Sequence, residues 1–338
     1  MSNQSCPPKV LAWEVTRNCP WHCRHCRMEE EEASAPEFSL EEAGLFLRKL
    51  SAFAAPLLII TGGEPLARRD IWEIIAEAKS LGFPLALATC GQLLTPQIVE
   101  KLKTAGIKRV SLSLHGSNAE THQDLTGIEG SWEVARQAAR MLKTAGLAFQ
   151  INSTVTRLNR DDVPRLLKTA REWGAAAYHP FLLVPTGKGR MLEALSLNRE
   201  EYEVLLNQIA GLAQQTDFPL RPTCAPQYWR ILQQRGLDLH FPYGGCTAGR
   251  SFAFVSAAGG VKPCGFFDLE AGNLRAQNMD FRAVWEESRL FQELRERERY
   301  AGKCGSCSFA GVCGGCRARA LEINGGYLED EPFCAYPG

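Results

Sequence analysis

The stretch Trp13 to Arg27, WEVTRNCPWHCRHCR, decides the reading of this chain. Cys19, Cys23 and Cys26 stand there in a C-x3-C-x2-C spacing, just after an apolar, β-branched run. Val10 to Thr16 reads as a buried strand, which puts the three thiols on a loop at its C-terminal end. Three thiolates on one short loop can hold three irons of a [4Fe–4S] cube and leave the fourth iron open for chemistry. Zinc is the alternative, but it ordinarily takes a fourth side-chain ligand, and its structural sites show paired C-x2-C units. No such partner lies nearby in the sequence.

Outward from this loop the chain alternates. The acidic run Glu29 to Glu32 reads as solvated loop. Ser39 and Glu42 have capping-box spacing and open a helix to about Ser51. Further strands are expected at Leu57 to Thr61, Leu85 to Thr89, Arg109 to Leu114, Phe149 to Val155 and about Ala176 to Leu183. Helices are expected between them: from an Asp70 cap to about Leu81, after Thr95, from Trp132 to Thr144, and from about Val163 to Trp173. Gly106 and Gly146, each ending a KTAG, read as helix stops. Six strands alternating with helices predict an α/β fold with a parallel sheet, a full or partial barrel.

Parallel barrels carry their chemistry at the C-terminal ends of the strands. Thr61-Gly62-Gly63-Glu64-Pro65 lies at such an end. Two glycines let backbone approach a ligand, and Glu64 with exposed carbonyls can accept hydrogen bonds from an ammonium group. Taken alone, the same residues could be a plain turn. Ser113, Asn152, Ser153 and Arg157 occupy other strand ends.

Composition narrows the partners. The 338 residues carry 38 basic and 38 acidic side chains, which gives no reason to expect nucleic-acid binding or an anionic membrane surface. The first ten residues do not read as a signal peptide, and the apolar stretch Ala52 to Ile60 is too short to span a bilayer, so no membrane insertion and a cytoplasmic location are expected. Thirteen cysteines in such a chain call for metal or redox chemistry. Cys6 and Cys90 fit no group and read as buried free thiols.

From about Pro185 the strand–helix rhythm stops. Helices near Arg199 to Gln215 lead to Arg221-Pro-Thr-Cys224-Ala-Pro-Gln227. Cys246, Gly259 and Cys264 follow at intervals of twelve and four residues, then Cys304-x2-Cys307-x5-Cys313-x2-Cys316 and Cys334. Eight cysteines suffice for two sets of four thiolate ligands, although a zinc ribbon shares the C-x2-C pairs.

The cysteine loop followed one strand later by GGEP resembles the radical S-adenosylmethionine (radical SAM) family, whose open iron chelates the amino and carboxylate groups of SAM. The resemblance implies a partial (β/α)6 TIM-like barrel. It implies cofactor contacts at His25, Gly62, Gly63, Glu64 and Pro65, with Ser113, Asn152, Ser153 and Arg157 reaching the ribose or carboxylate. His115 stands where the family frequently has Asp. The later cysteines resemble the SPASM extension, with its one or two auxiliary [4Fe–4S] clusters. Here Gly314-Gly315 supply two residues where that pattern usually has three. By resemblance Cys304, Cys307, Cys313 and Cys334 hold a distal cluster. Cys246, Cys264 and Cys316 hold a nearer one, with Cys224 as the candidate fourth ligand. Residues 1–190 would form the barrel, 191–245 a helical bridge and 246–338 the SPASM domain.

LAWEVTRNCPWHCRHCR, HPFLLVPTGKG from His179 to Gly189, RPTCAPQYWRI around Cys224 and CGGCRARA from Cys313 further resemble enzymes that modify tetrapyrrole side chains. The haem b synthase branch of the siroheme-dependent pathway is nearest, with the haem d1 and acetate-removing branches beside it. That resemblance implies oxidative decarboxylation of two propionates of iron-coproporphyrin III to vinyls, fed by a low-potential donor such as ferredoxin or flavodoxin. Propionates call for guanidinium or ammonium partners. Arg157, Lys188, Arg190 and Arg230 are the candidates, with His179 for the iron or a carboxylate. Surface charges and a core histidine are the plainer readings of these five. Two rival functions stay open, peptide maturation and non-catalytic electron transfer. Against peptide maturation, about ten residues precede the first strand, too few for a peptide-binding domain.

Overall fold

A computed structural model of the chain describes residues 6–28, 36–237 and 244–338, so the run Glu29 to Glu32 lies outside the described residues. Six strands follow the expected alternation: β1 (Val10–Glu14), β2 (Leu57–Thr61), β3 (Leu85–Thr89), β4 (Ile107–Ser113), β5 (Phe149–Val155) and β6 (Ala177–Leu182). All neighbours in this order pair in parallel. The helices between them are α1 (Leu40–Phe53), α2 (Ile71–Ser80), α3 (Pro96–Thr104), α4 (Ala119–Thr126), α5 (Ser131–Thr144) and α6 (Val163–Trp173). Helix α4 is an addition to the expected set.

Local chemistry sets the start of α1. Ser39 Oγ accepts from Glu42 N at 3.1 Å, and the Glu42 carboxylate accepts from Ser39 N at 2.8 Å, closing the capping box of α1. Helix α2 departs from expectation, because the Asp70 side chain makes no cap bond. Its carboxylate instead takes two bonds from Arg68, at 2.7 and 3.1 Å. A charge-assisted pair outcompetes a single cap bond. Arg68 is itself buried and donates to the carbonyls of Val15 and Phe38.

Period-two burial sets the two faces of the sheet. On β5, Phe149, Ile151, Ser153 and Val155 are buried, while Gln150, Asn152 and Thr154 lie half-buried on the opposite face. The buried set joins the core formed with the helices through Phe149, Ile151 and Val155.

Among the described residues, the C-terminal third does not form a separate sheet. Strand β7 (Phe252–Val255) adds in parallel to the free edge of β1, with Trp13 opposite Val255. Strands β8 (Gly260–Lys262) and β9 (Gly272–Asn273) follow antiparallel. Among the described residues the result is one unclosed nine-stranded sheet, β6-β5-β4-β3-β2-β1-β7-β8-β9. The strand that launches the cysteine loop is therefore internal. Trp13 beneath it is fully buried against Phe46, ring centroids 5.2 Å apart. At the other end of the sheet, residues 219–223 run along β6, with Tyr178 N donating to Pro219 O and Leu182 N to Thr223 O.

Among the described residues the remaining α-helices are α7 (Arg199–Gln214), α8 (Gln227–Gln234), α9 (Phe281–Glu287), α10 (Arg289–Arg295), α11 (Gly302–Ser306) and α12 (Arg317–Asn324). Arg319 of α12 and Glu331 form an ion pair at 3.1 Å with neither side chain exposed. The same guanidinium donates to Leu183 O at 3.2 Å and Cys224 O at 2.9 Å, joining the C-terminal third to the end of β6. Removing one partner of such a pair strands a buried charge, at a cost of about 3–5 kcal/mol. Arg319→Met should lower stability by about that amount in urea unfolding. A change no larger than that of an ordinary surface substitution would show that the pair does not hold this joint.

Candidate iron–sulfur active site

The loop after β1 is clamped to the turn after β2 through backbone. Gly63 N donates to Thr16 O at 2.7 Å and Glu64 N to Asn18 O at 2.8 Å. A Cβ on Gly62 would lie 2.5 Å from Thr16 O, and one on Gly63 2.5 Å from Asn18 O. The two glycines are therefore required by the approach of the loop itself.

Glu64 serves a different purpose from the expected one. Its carboxylate is fully buried and accepts from Thr89 Oγ1 at 2.7 Å, Cys90 N at 3.1 Å and Leu66 N at 3.2 Å. Burial pushes its acidity down, so the carboxyl pKa lies above the usual range. It ties the end of β3 to the loop from beneath, and Pro65 opens one short turn behind it. Cys90 donates its thiol proton to Glu64 at 3.2 Å and stays protonated, because burial and then the Glu64 charge raise its pKa. Cys6, expected to be buried, is exposed.

Two other segments close on the cysteine loop. From the end of α4, Thr126 O accepts from Arg24 N at 3.1 Å and Leu125 O from His25 Nδ1 at 3.3 Å. From the HPFLLVPTGKG segment, Gly189 N donates to Cys26 O at 3.3 Å, and a Cβ on Gly187, at φ +59°, would meet Arg27 O at 2.2 Å. The three thiols feel one another. Cys23 is pushed up to about 12 by burial, then by the charges of Cys26 and Cys19, while Lys188 acts in the opposite direction.

Behind the loop three imidazoles pack in series, His25 on His115 with centroids 4.2 Å apart and His115 on His122 at 5.4 Å. Thr154 N donates to His115 Nδ1 at 2.9 Å, and His115 N donates to His122 Nδ1 at 2.9 Å. Burial lowers all three, His25 and His122 to about 4. His115 is thus a neutral packing element. The supporting helix α4 escaped the sequence reading, although two signals mark it. Asn118 accepts from Thr121 N at 2.9 Å as its cap, and Gly127 ends it at φ +72°.

Across the sheet, register sets Ser113 beside Asn152 and Asn152 beside His179. Parallel register keeps the three on one half-buried face. His179 is lowered to about 4 by burial, then by the charges of Arg221 and Arg109. Ser153 points the other way, its hydroxyl bonded to Leu114 O, and is not brought together with them. The basic candidates also separate. Arg157 pairs with Glu201 at 2.9 Å on the outside, and Arg190 bridges Asp268 at 2.6 Å and Glu322 at 3.1 Å. Arg230 is buried against Glu203 and Gln234, while the charge of Lys188 reaches the cysteine loop.

The eight later cysteines fall into two groups. Cys304, Cys307, Cys313 and Cys334 line one cavity. Cys224 is raised by burial and then by the charges of Cys316, Cys264 and Cys246, so these four lie together. Cys224 sits at φ +56°, a strained conformation for a residue with a Cβ. Tyr202 Oη holds its carbonyl at 2.8 Å, opposite the bond from Arg319. Cys246 N donates to Cys313 O at 3.1 Å and links the two groups. The shortened Cys313-Gly-Gly-Cys316 turn closes because Gly314 and Gly315 are both left-handed, at φ +69° and +62°.

The donor set fits iron–sulfur clusters. Among the described residues, no three or more Cys, His, Asp or Glu side chains meet at the point geometry of a single metal ion. Thiolates around a four-iron cube stand farther apart than ligands at about 2.3 Å from one zinc ion. Around the later cysteines, Gln227 Nε2, Arg230 Nε and Arg297 Nε and Nη2 are buried without a partner. Buried donors of that kind are costly unless an acceptor sits against them. Sulfur-rich anions would supply that acceptor.

An unclosed parallel barrel with these thiol groups defines an iron–sulfur enzyme. Residues 13–170 match the Radical SAM superfamily, and residues 246–308 match the SPASM iron-sulfur cluster-binding domain. An AdoMet-dependent heme synthase of Methanosarcina barkeri is 41% identical over 98% of this chain and 97% of its own length. Another, of Oleidesulfovibrio alaskensis, is 39% identical over 97% of this chain and 87% of its own. The crystal structure of Streptococcus suis SuiB bound to precursor peptide SuiA superposes with a TM-score of 0.76 over 97% of this chain and 76% of that one, at 17% identity. The chain belongs to the radical SAM family that carries a SPASM domain. It uses a [4Fe–4S] cluster with S-adenosylmethionine, and auxiliary iron–sulfur clusters. Among the described residues, no helix is long and apolar enough to cross a membrane.

Gly63→Ala should force the cysteine loop away from the turn. The expected result in reconstituted protein is loss of the EPR change caused by SAM, with the auxiliary signals retained; an unaltered SAM response would refute the clamp. A second expectation concerns acid. His115 and His122 have folded-state values below the ordinary value of about 6.5, so their contribution to stability is complete above that pH and is lost as pH falls toward 4. The thermal midpoint should drop from pH 7 to pH 5, and His122→Phe should flatten that slope. Equal slopes in the two proteins would assign the titration to other groups.

Proposed function

We propose that this chain makes haem b by oxidative decarboxylation of two propionates of iron-coproporphyrin III to vinyl groups. The observation that carries this reading is the extent of the likeness to heme synthases, 41% and 39% identity over 98% and 97% of the chain, through barrel, bridge and cysteine-rich third alike. In this reading Cys19, Cys23 and Cys26 hold the SAM-binding cluster. Cys304, Cys307, Cys313 and Cys334 hold a distal auxiliary cluster, and Cys224, Cys246, Cys264 and Cys316 a nearer one. When bound, these groups supply a primary carbon radical able to take a hydrogen atom from the propionate carbon next to the macrocycle, and an acceptor for the electron left after CO2 departs.

The chain's own share is placement. Gly62, Gly63 and Pro65 bring backbone to the methionine end of SAM, with Glu64 bracing the turn from below. Ser113 and Asn152 offer hydroxyl and amide groups from the sheet face. His179, lowered to about 4 by burial and by the nearby charges of Arg221 and Arg109, offers a propionate a hydrogen bond from a neutral ring, and Lys188 beside the cysteine loop offers a carboxylate its positive charge. A low-potential carrier such as ferredoxin or flavodoxin delivers the initiating electron.

The test is an anaerobic reaction of reconstituted protein with SAM, a strong reductant and iron-coproporphyrin III, followed by mass spectrometry. Monovinyl and then divinyl porphyrin should appear, with one 5′-deoxyadenosine per vinyl group. Deoxyadenosine formed over an untouched porphyrin would sink the proposal, and consumption of didecarboxysiroheme in its place would move the chain to the acetate-removing branch.

A further inference from the structure

Helix α8 presents two polar side chains to the cavity of Cys304, Cys307, Cys313 and Cys334, Gln227 and, three residues on, Arg230. Residues at that spacing share a helix face. Gln227 is 1% exposed, and neither its amide nitrogen nor its oxygen has a partner among the described residues. Arg230, 3% exposed, gives Nη1 to Gln234 and Nη2 to Glu203, which leaves Nε buried and unsatisfied at the same wall. A glutamine in an ordinary core would be selected against at such a site, since leucine fills similar space without stranded polar atoms.

The other donors in this cavity already point at sulfur. Glu331 N lies 3.3 Å from Cys304 Sγ, Phe309 N 3.4 Å from Cys307 Sγ and Gly315 N 3.4 Å from Cys313 Sγ. Hydrogen bonds to cluster sulfurs stabilise the more negative, reduced state over the oxidised one, and so raise the reduction potential.

We propose that Gln227, with Arg230 beside it, donates to sulfur of the distal auxiliary cluster and holds its reduction potential up, making it a ready acceptor for the electron released by the substrate. The reaction that releases it balances as follows: the propionate carbon radical forms the vinyl C=C bond as the C–CO2 bond breaks, giving CO2 and one electron. A cluster held by Cys304, Cys307, Cys313 and Cys334 would supply an acceptor for that electron, reached through the nearer cluster, and a one-electron carrier would remove it. This role deepens the proposed function, and only the origin of the electron rests on that function. Gln227 is a positioning and tuning residue, since it touches neither SAM nor the reacting carbon in this scheme.

The experiment is an EPR-monitored redox titration of the reconstituted full chain. Cys19→Ala, Cys23→Ala and Cys26→Ala are introduced together to remove the first cluster's signal. Gln227→Leu should shift one auxiliary signal about tenfold in its redox equilibrium toward the oxidised form, about 59 mV lower, and leave the other in place. Gln227→Glu should shift the same signal further. In ENDOR spectra, the Leu variant should lose an exchangeable proton coupling that follows 15N-labelled glutamine side chains. Unmoved potentials in both variants at full iron content would overturn the proposal. So would loss of the cluster in both, which would make the residue structural. Failure of the haem reading would show separately, as unconverted porphyrin with the wild-type triad in place and the titration result intact.

Discussion

Two backbone hydrogen bonds, from Gly63 and Glu64 to the carbonyls of Thr16 and Asn18, set the distance on which the rest of the site depends. They bring the ends of adjacent parallel strands closer than a Cβ allows. Everything around them is arranged to keep them made. Glu64 sends its side chain down to the end of β3 in place of solvent. Arg68, from the same turn, reaches back to Val15 and fixes the strand just before the loop. The price of this order is a carboxyl and a guanidinium buried within a few residues of each other, each satisfied by local partners so that neither is stranded.

Charge explains much of the C-terminal third. Thiolate clusters are anions in a low-dielectric setting, and the chain surrounds their places with guanidiniums. Arg319 is near Cys224 and Cys316, Arg317 near Cys304, Arg297 near Cys246 and Cys313, and Arg27 near Cys264. Where such an arginine also meets a carboxylate, as Arg319 meets Glu331, it doubles as a joint between segments. Several basic residues that composition alone would send to an anionic substrate are thus engaged in holding the protein together.

What could be read from the sequence was what short-range pattern encodes. Strands β3 and β5 and helix α6 begin and end where apolar periodicity and flanking Thr, Val or Gly mark them. Long-range pairing leaves no such trace, so nothing near Phe252 announces that it lies beside Val10. Competition between partners is equally hidden. Asp70 looked like a cap, and Arg68 two residues away took its carboxylate. Ser153 is a more instructive miss, because its parity was legible: Phe149, Ile151 and Val155 already assign odd positions of β5 to the core. A polar strand end identifies a neighbourhood, and only the alternation identifies the residue. The cysteine grouping was readable because ligand spacing is local in CxxC pairs. The left-handed turn at Cys224, which brings a distant thiol into its group, is a backbone state that no neighbouring glycine signals.

The pairing of β1 with β7 also constrains assembly. Proteins are made from the N-terminus, and early segments fold while later ones are still being synthesised. The strand that launches the first cysteine loop keeps one edge unpaired until residues 252–255 have emerged. During that interval the nascent barrel can complete its six strands and yet remain open on the side that the cysteine-rich third later covers. The edge of β1 beside the first cysteine loop is therefore among the last parts of the sheet to be covered.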